Sequence, residues 1–137
     1  MNGIDLILAD HEHVNHLFDQ FDESGDATLV GQIVDALVAH DQAEQAALYP
    51  LAGAVLRSSK MLQRYDHAHS LVKKLIEHLW GLEGDPLLDA VASLREAVSD
   101  HVADEERELL PALRKAASAS QLDGLAARIE QVKQRVG

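Results

Sequence analysis

The chain has 137 residues, 47% of them hydrophobic and only 4% aromatic, with eight glycines, three prolines and no cysteine. That length makes one domain with a real core, the Ala-, Leu- and Val-rich composition favours helices over strands, and the missing thiols exclude disulfides, thiolate-bound zinc and iron–sulfur clusters. A formal net charge of -11 argues against nucleic acid and anionic membrane as partners, and with no apolar run of transmembrane length and no basic leader the expectation is a soluble cytoplasmic protein.

In chain order, the apolar spacing predicts a first helix from about Asp5 to Phe21, broken by Glu23-Ser-Gly-Asp26. A second runs from Thr28, a candidate N-cap, to Tyr49, where Pro50 ends it. Residues 51–59 are ambiguous, with Ser58 or Ser59 able to cap the third helix, which runs to about Leu79 and stops at Gly81-Leu-Glu-Gly84. Asp85-Pro86 reads as a capping Asp with Pro at the first helical position. The fourth helix runs from there to Leu110, with Pro111 ending or kinking it. Ser118 or Ser120 opens a last helix to about Val136. The predicted architecture is all-α: an up-down-up-down four-helix bundle over about 5–115 with a short fifth C-terminal helix over about 118–136, one domain in all.

A pattern occurs twice. His40-Asp-Gln-Ala-Glu44 is followed by Leu48-Tyr49-Pro50, and His101-Val-Ala-Asp-Glu105 by Leu109-Leu110-Pro111. Upstream, His11 heads an apolar stripe of Val14, Leu17, Phe18 and Phe21, and His69 heads Val72, Leu75, Ile76 and Leu79 at the same offsets. The chain is therefore an internal repeat of two half-units. Positions i and i+4 share a helix face, so each HxxxE aims an imidazole and a carboxylate at one point. Glu44 and Glu105 fall on apolar stripes that carry no Lys or Arg. A carboxylate buried without a partner is costly, and a bound cation removes that cost. A single HxxxE is usually a surface pair; four histidines and two glutamates at matching positions point instead to metal. His13, His16, His67 and His78 have no counterpart in the other half and are expected at the surface.

These residues resemble the hemerythrin-like, or HHE cation-binding, domain family. The matching text is Asp10-His11 with Val14 and Leu17, His40-Asp41-x-x-Glu44 with Leu48-Tyr49-Pro50, Ala68-His69 with Val72 and Leu75, and His101-x-x-x-Glu105-Glu106 with Leu109-x-Pro111. The resemblance implies a four-helix bundle around a non-haem di-iron centre: two Fe ions with an oxo or hydroxo bridge, terminal ligands His11, His40, His69 and His101, and bridging Glu44 and Glu105. Many members have an acidic residue where this chain has Ala68. Oxygen-carrying hemerythrins have a second His four residues before the third-helix His, where this chain has Tyr65, and they space the last pair as HxxxxD. Both features argue against simple oxygen carriage. Tyr65 is expected either near the iron pair, as a ligand or a hydrogen-bonding phenol, or packed at the core edge.

The expected function is binding of, or reaction with, a small oxidant: dioxygen, peroxide or nitric oxide, peroxide consumption being one candidate activity. The alternatives are iron handling without turnover and a metal-free histidine phosphotransfer bundle, to which Ala68-His69-Ser-Leu71 bears a faint likeness. The ferritin-like ExxH pattern, HExxH, GxGxxG and the P-loop are absent from the sequence.

Overall fold

The computed structural model describes residues 1–136. Among them the helices are α1 (Gly3–Ser24), α2 (Thr28–Ala43), α3 (Tyr49–Leu56), α4 (Ser59–Glu77), α5 (Gly84–Asp104), α6 (Leu110–Ala116) and α7 (Ala119–Val136), and no strand is present. α2 continues into α3 through a π turn, Glu44–Leu48, and α5 into α6 through a second, Glu105–Leu109. The described residues therefore form five continuous helical rods, packed as a bundle.

The ends follow from local chemistry. Asn2 caps α1 in a capping box: its side chain accepts from Asp5 N at 3.1 Å, and Asp5 accepts from Asn2 N at 3.0 Å. Gly25 closes α1 at φ 63°, its N–H donating to Phe21 O at 2.8 Å, a left-handed cap that favours glycine. Thr28 is not the N-cap of α2. Ala27 holds that position, and the Asp26 side chain accepts from both Thr28 N and Thr28 Oγ1. Ser58 does cap α4, and Ser118 pairs reciprocally with Gln121 ahead of α7. α5 begins earlier than expected, at Gly84 with Glu83 as N-cap, which leaves Asp85 and Pro86 inside the first turn.

Two apolar clusters fill the bundle. One gathers Ile4, Ile7, Leu48, Leu109, Leu113 and Ile129; the other gathers Val14, Phe18, Phe21, Ile33, Val91 and Leu94. The polar site lies between them along the four rods other than α7. On α1, Ile7 belongs to one cluster and Val14 to the other, with His11 between; on α5, His101 follows Val98 of the second cluster. α7 is more than an appendage. It lies along α1, α2 and the first π turn, and contributes Leu122, Leu125 and Ile129 to the core. No described helix is long and apolar enough to cross a membrane.

Candidate metal centre

Both HxxxE motifs end where a π turn begins, and proline explains the coincidence. In an unbroken α-helix, Pro50 would lack its N–H and press its ring on the carbonyl four residues back. The chain instead widens by one residue. Tyr49 N–H bonds to Glu44 O, and Leu110 N–H to Glu105 O, both five residues back. Each helix then resumes with its proline in a first turn, where no N–H is required. Pro50 therefore does not end its helix, contrary to the sequence expectation, and the helix of Pro111 likewise continues past it, to Ala116. The wide turn also brings position i+5 back over position i, so Tyr49 faces the same way as Glu44.

The structure brings all six sequence-predicted residues together. His11, His40, His69 and His101 are buried, and Glu44 and Glu105 are 0% exposed. They form two overlapping groups of potential ligands: His11, His40, Glu44 and Glu105, and His69, His101, Glu44 and Glu105, with ligand atoms within 4.8 Å of one another in each. Each half-unit supplies one pair of histidines, and both carboxylates belong to both groups. Nε2 of His40 and of His69 lie 3.2 and 3.0 Å from Glu44 Oε1; Nε2 of His11 and of His101 lie 3.2 Å from Glu105 oxygens.

Many of these atoms are close without being satisfied. His11 Nε2, His40 Nε2, Glu44 Oε2 and Glu105 Oε1 are buried and have no hydrogen-bond partner. An unpaired buried polar group costs about 1–3 kcal/mol, so four converging on one small space is an arrangement that a cation would relieve. Imidazole and carboxylate donors suit first-row divalent ions. The residues present therefore fit a metal.

The outer nitrogens of two of the four histidines, His40 and His69, are held by acids from neighbouring helices. Asp10 on α1 accepts from His40 Nδ1 on α2 at 3.1 Å. Asp41 on α2 hydrogen-bonds His69 Nδ1 on α4. Glu106 Oε1 lies 3.4 Å from His11 Nδ1. A carboxylate on Nδ1 fixes the tautomer that leaves Nε2 free to ligate. Lys133 of α7 in turn pairs with Asp10, and Lys73 lies 3.6 Å from Asp41. Without metal the site stores protons. Burial disfavours the His40 imidazolium, but the charge of Glu44 and the bond to Asp10 outweigh it and raise its pKa well above the usual value. Burial likewise opposes protonation of His101, yet hydrogen bonds to Glu105 and Glu44 push its pKa up to about 9. Burial opposes ionisation of Glu44, but the positive charge of His40 and hydrogen bonds from its neighbours hold its pKa well below the usual range. A metal must displace those protons.

Tyr49 is the residue that sequence reasoning missed. Its Oη lies 2.7 Å from His69 Nε2, 2.9 Å from Glu105 Oε2, 3.3 Å from Glu44 Oε1 and 3.4 Å from His101 Nε2. One hydroxyl proton cannot serve all four. Burial and the two carboxylate charges push its pKa up, so the phenol stays protonated while no cation is near. The only sequence signal is its place five residues after Glu44 and just before Pro50, which needs the π turn to be read. Tyr65 takes a different place from a ligand. Its ring is buried, stacks 6.0 Å from the Tyr49 ring and meets His101 edge-on at 5.6 Å, and its hydroxyl donates to Asp104 O at 3.3 Å. His13, His16, His67 and His78 are exposed, outside the cluster.

Fold and site together define a helical bundle with a buried imidazole–carboxylate group suited to metal. Comparison with known proteins gives the family: the Hemerythrin HHE cation binding domain matches residues 2–113, and this chain belongs to that family. It is 32% identical, over 99% of its length, to a protein from Nostoc sp. named as a DNA nickase, of which it spans 40%. Its fold matches the crystal structure of a hemerythrin HHE cation binding domain-containing protein from Mycobacterium kansasii at a TM-score of 0.84, with 20% identity, over 98% of this chain and 89% of that one.

Proposed function

We propose that this domain holds two iron ions between His11, His40, His69, His101, Glu44 and Glu105, and meets a small oxidant there: dioxygen, peroxide or nitric oxide. The observation that carries the reading is the pair of overlapping four-residue groups sharing two fully buried carboxylates. Two irons side by side would supply two one-electron couples and an open coordination position. The chain's own residues do the rest. Glu44 and Glu105 balance the charge of the ions, Asp10 and Asp41 orient the imidazoles, and the apolar clusters on either side keep bulk water out. Tyr49 brings a phenol oxygen to the second group, as a further ligand or as a proton donor at that point. The same proposal takes residues 1–137 as one domain with its four main helices running up, down, up and down.

Iron handling without turnover uses the same centre. The phosphotransfer alternative loses ground, because His69 is buried and tied to Asp41 whereas a phosphotransfer histidine must be reached from outside. The relative named as a DNA nickase favours another reading, action on DNA; the net charge of -11 opposes the approach of a polyanion. Metal analysis of protein expressed with ample iron is the test. About two irons per chain are expected from the ligand count, with near-ultraviolet absorption and consumption of hydrogen peroxide. A preference for zinc, or no metal, would overturn the di-iron reading. Full iron without peroxide turnover would leave iron handling, and nicking of supercoiled plasmid by the loaded protein would favour the DNA reading.

A further inference from the structure

A pocket of about 340 Å³ opens between α2, α4 and α5 and ends on His40, His69 and His101. Its walls include Val72, Ile76, Val98 and Val102, and exposed Val38 and Lys73 stand at its mouth. An apolar protein cavity of about 150 Å³ admits benzene, so this pocket has room far beyond the needs of a diatomic molecule or hydrogen peroxide. Its charges are already matched. Lys73 lies 3.6 Å from Asp41, and Asp41 also holds His69. Besides the three histidines at its floor, the remaining polar groups of the lining are the amides of Gln42 and Gln45. The depression beside His11 differs: Glu12 and Glu106 line it, and carboxylates there disfavour an apolar guest.

We propose that the α2–α4–α5 pocket binds a neutral organic hydroperoxide with an aryl or branched-alkyl skeleton, its oxygen end toward the three histidines. The inference deepens the oxidant reading above and rests on it. Apolar walls take the carbon skeleton, whose burial is favourable, and the pairing of Lys73 with Asp41 leaves no unpaired charge at the mouth to desolvate. Reduction of such a hydroperoxide breaks its O–O bond and, with two electrons and two protons, leaves an alcohol and water. A reduced iron pair held by His11, His40, His69, His101, Glu44 and Glu105 would supply the two electrons.

The test uses metal-loaded protein and the unreactive alcohol 2-phenylpropan-2-ol, followed by titration calorimetry and saturation-transfer NMR. One-to-one binding is expected. Val72→Trp should weaken it at least tenfold with metal content and visible spectrum unchanged, and Ala103→Trp, beside the other depression, should leave it intact. Val102→Phe gives a second, gentler blockade should Val72→Trp fail to fold. Absence of binding to fully loaded wild-type protein, or binding indifferent to a folded blocking variant, overturns the inference while leaving a peroxide-consuming centre standing. Loss of the oxidant reading registers separately, in metal content and hydrogen peroxide turnover.

Discussion

Eight residues of α1, from Gly3 to Phe21, are buried, whereas α4 buries Tyr65 and His69 alone. The two helices are counterparts in the internal repeat and carry apolar residues at the same offsets from their histidines. Part of the difference lies outside the repeat: α7 packs Leu122, Leu125 and Ile129 in the cluster of Ile4 and Ile7, while Val14, Leu17, Phe18 and Phe21 are buried in the other cluster. α7 lies along α1 and α2, beyond residue 113 where the family match ends. Val14, Leu17, Phe18 and Phe21 are all buried, but of Val72, Leu75, Ile76 and Leu79 only Leu79 is. Equal ligands can thus sit in unequal surroundings: α7 lies over part of the first half, and the pocket between α2, α4 and α5 reaches both histidines of the second half but only His40 of the first. The second asymmetry is Tyr49, whose counterpart after the second π turn is Leu110, packed in the apolar core. A phenol oxygen therefore reaches the centre from one repeat only.

The sharpest test of what the halves share is the carboxylate pair. Each half donates one glutamate, and each glutamate serves both groups of ligands. Glu44→Ala and Glu105→Ala should therefore each cost most of the bound metal, more than His11→Ala or His69→Ala, while His13→Ala and His78→Ala keep full occupancy. Metal content per chain reads the outcome. Loss of only half the metal in either glutamate variant would show that the halves hold their ions independently.

Next in size are the acids behind the histidines. Removing such a partner weakens metal binding about 10–100-fold. Asp10→Asn should release the ion of the His11–His40 group, and Asp41→Asn that of the His69–His101 group. Chelator competition should show one weak and one tight ion in each variant. Asp10 is also gripped by Lys133 of α7, so Lys133→Met should mimic Asp10→Asn in weaker form. An equal effect of Lys133→Met on both ions would break the proposed link between α7 and the first half.

The docking of α7 is tested by a glycine. A Cβ on Gly3 would stand 2.3 Å from Leu125 Cγ and 2.7 Å from Leu125 Cβ, and Leu125 cannot withdraw without shifting α7. Gly3→Ala should cost about 1–3 kcal/mol of stability as overpacking. Gly31→Ala and Gly124→Ala meet no neighbour and should be neutral or slightly stabilising, because alanine is the better helix former. Thermal denaturation of the three variants decides it. A neutral Gly3→Ala would mean that α7 is loosely held.

Much of the site is legible in the sequence. The two HxxxE motifs and the two lone histidines converge as their spacing requires, because helix periodicity fixes which side chains share a face. Buried glutamates on stripes without cations are a physical signal, since little else makes that burial tolerable. What stays hidden crosses between helices or departs from α geometry. Asp10 serves a histidine on α2 and Asp41 one on α4, pairings set by packing rather than spacing. Tyr49 escapes a helical reading because an α-helix turns position i+5 away from position i. Pro50 and Pro111 resemble stops, although a wider turn lets each helix continue. Thr28 has the chemistry of a cap, but Ala27 holds the cap position and both the N–H and the hydroxyl of Thr28 donate to Asp26.

Tyr65 and Tyr49 give the subtlest test, because both rings lie beside His101 or its neighbours and only one hydroxyl faces the ligands. Tyr65 donates to Asp104 O, so Tyr65→Phe removes one hydrogen bond and leaves a partly buried carbonyl short of a donor. A loss of about 1 kcal/mol is expected, with the visible spectrum of the loaded protein unchanged. Tyr49→Phe removes the one oxygen that lies within 2.9 Å of both His69 Nε2 and Glu105 Oε2. Its effect should appear in the spectrum and in the tightness of the His69–His101 ion, since the His11–His40 group has no contact with that hydroxyl except through the shared carboxylates. Stacking of the two rings is kept in both variants, so packing cannot account for a spectral difference between them. A changed spectrum in Tyr65→Phe and an unchanged one in Tyr49→Phe would reverse the two assignments, and would mean that the second half of the molecule, not the first, supplies the phenol.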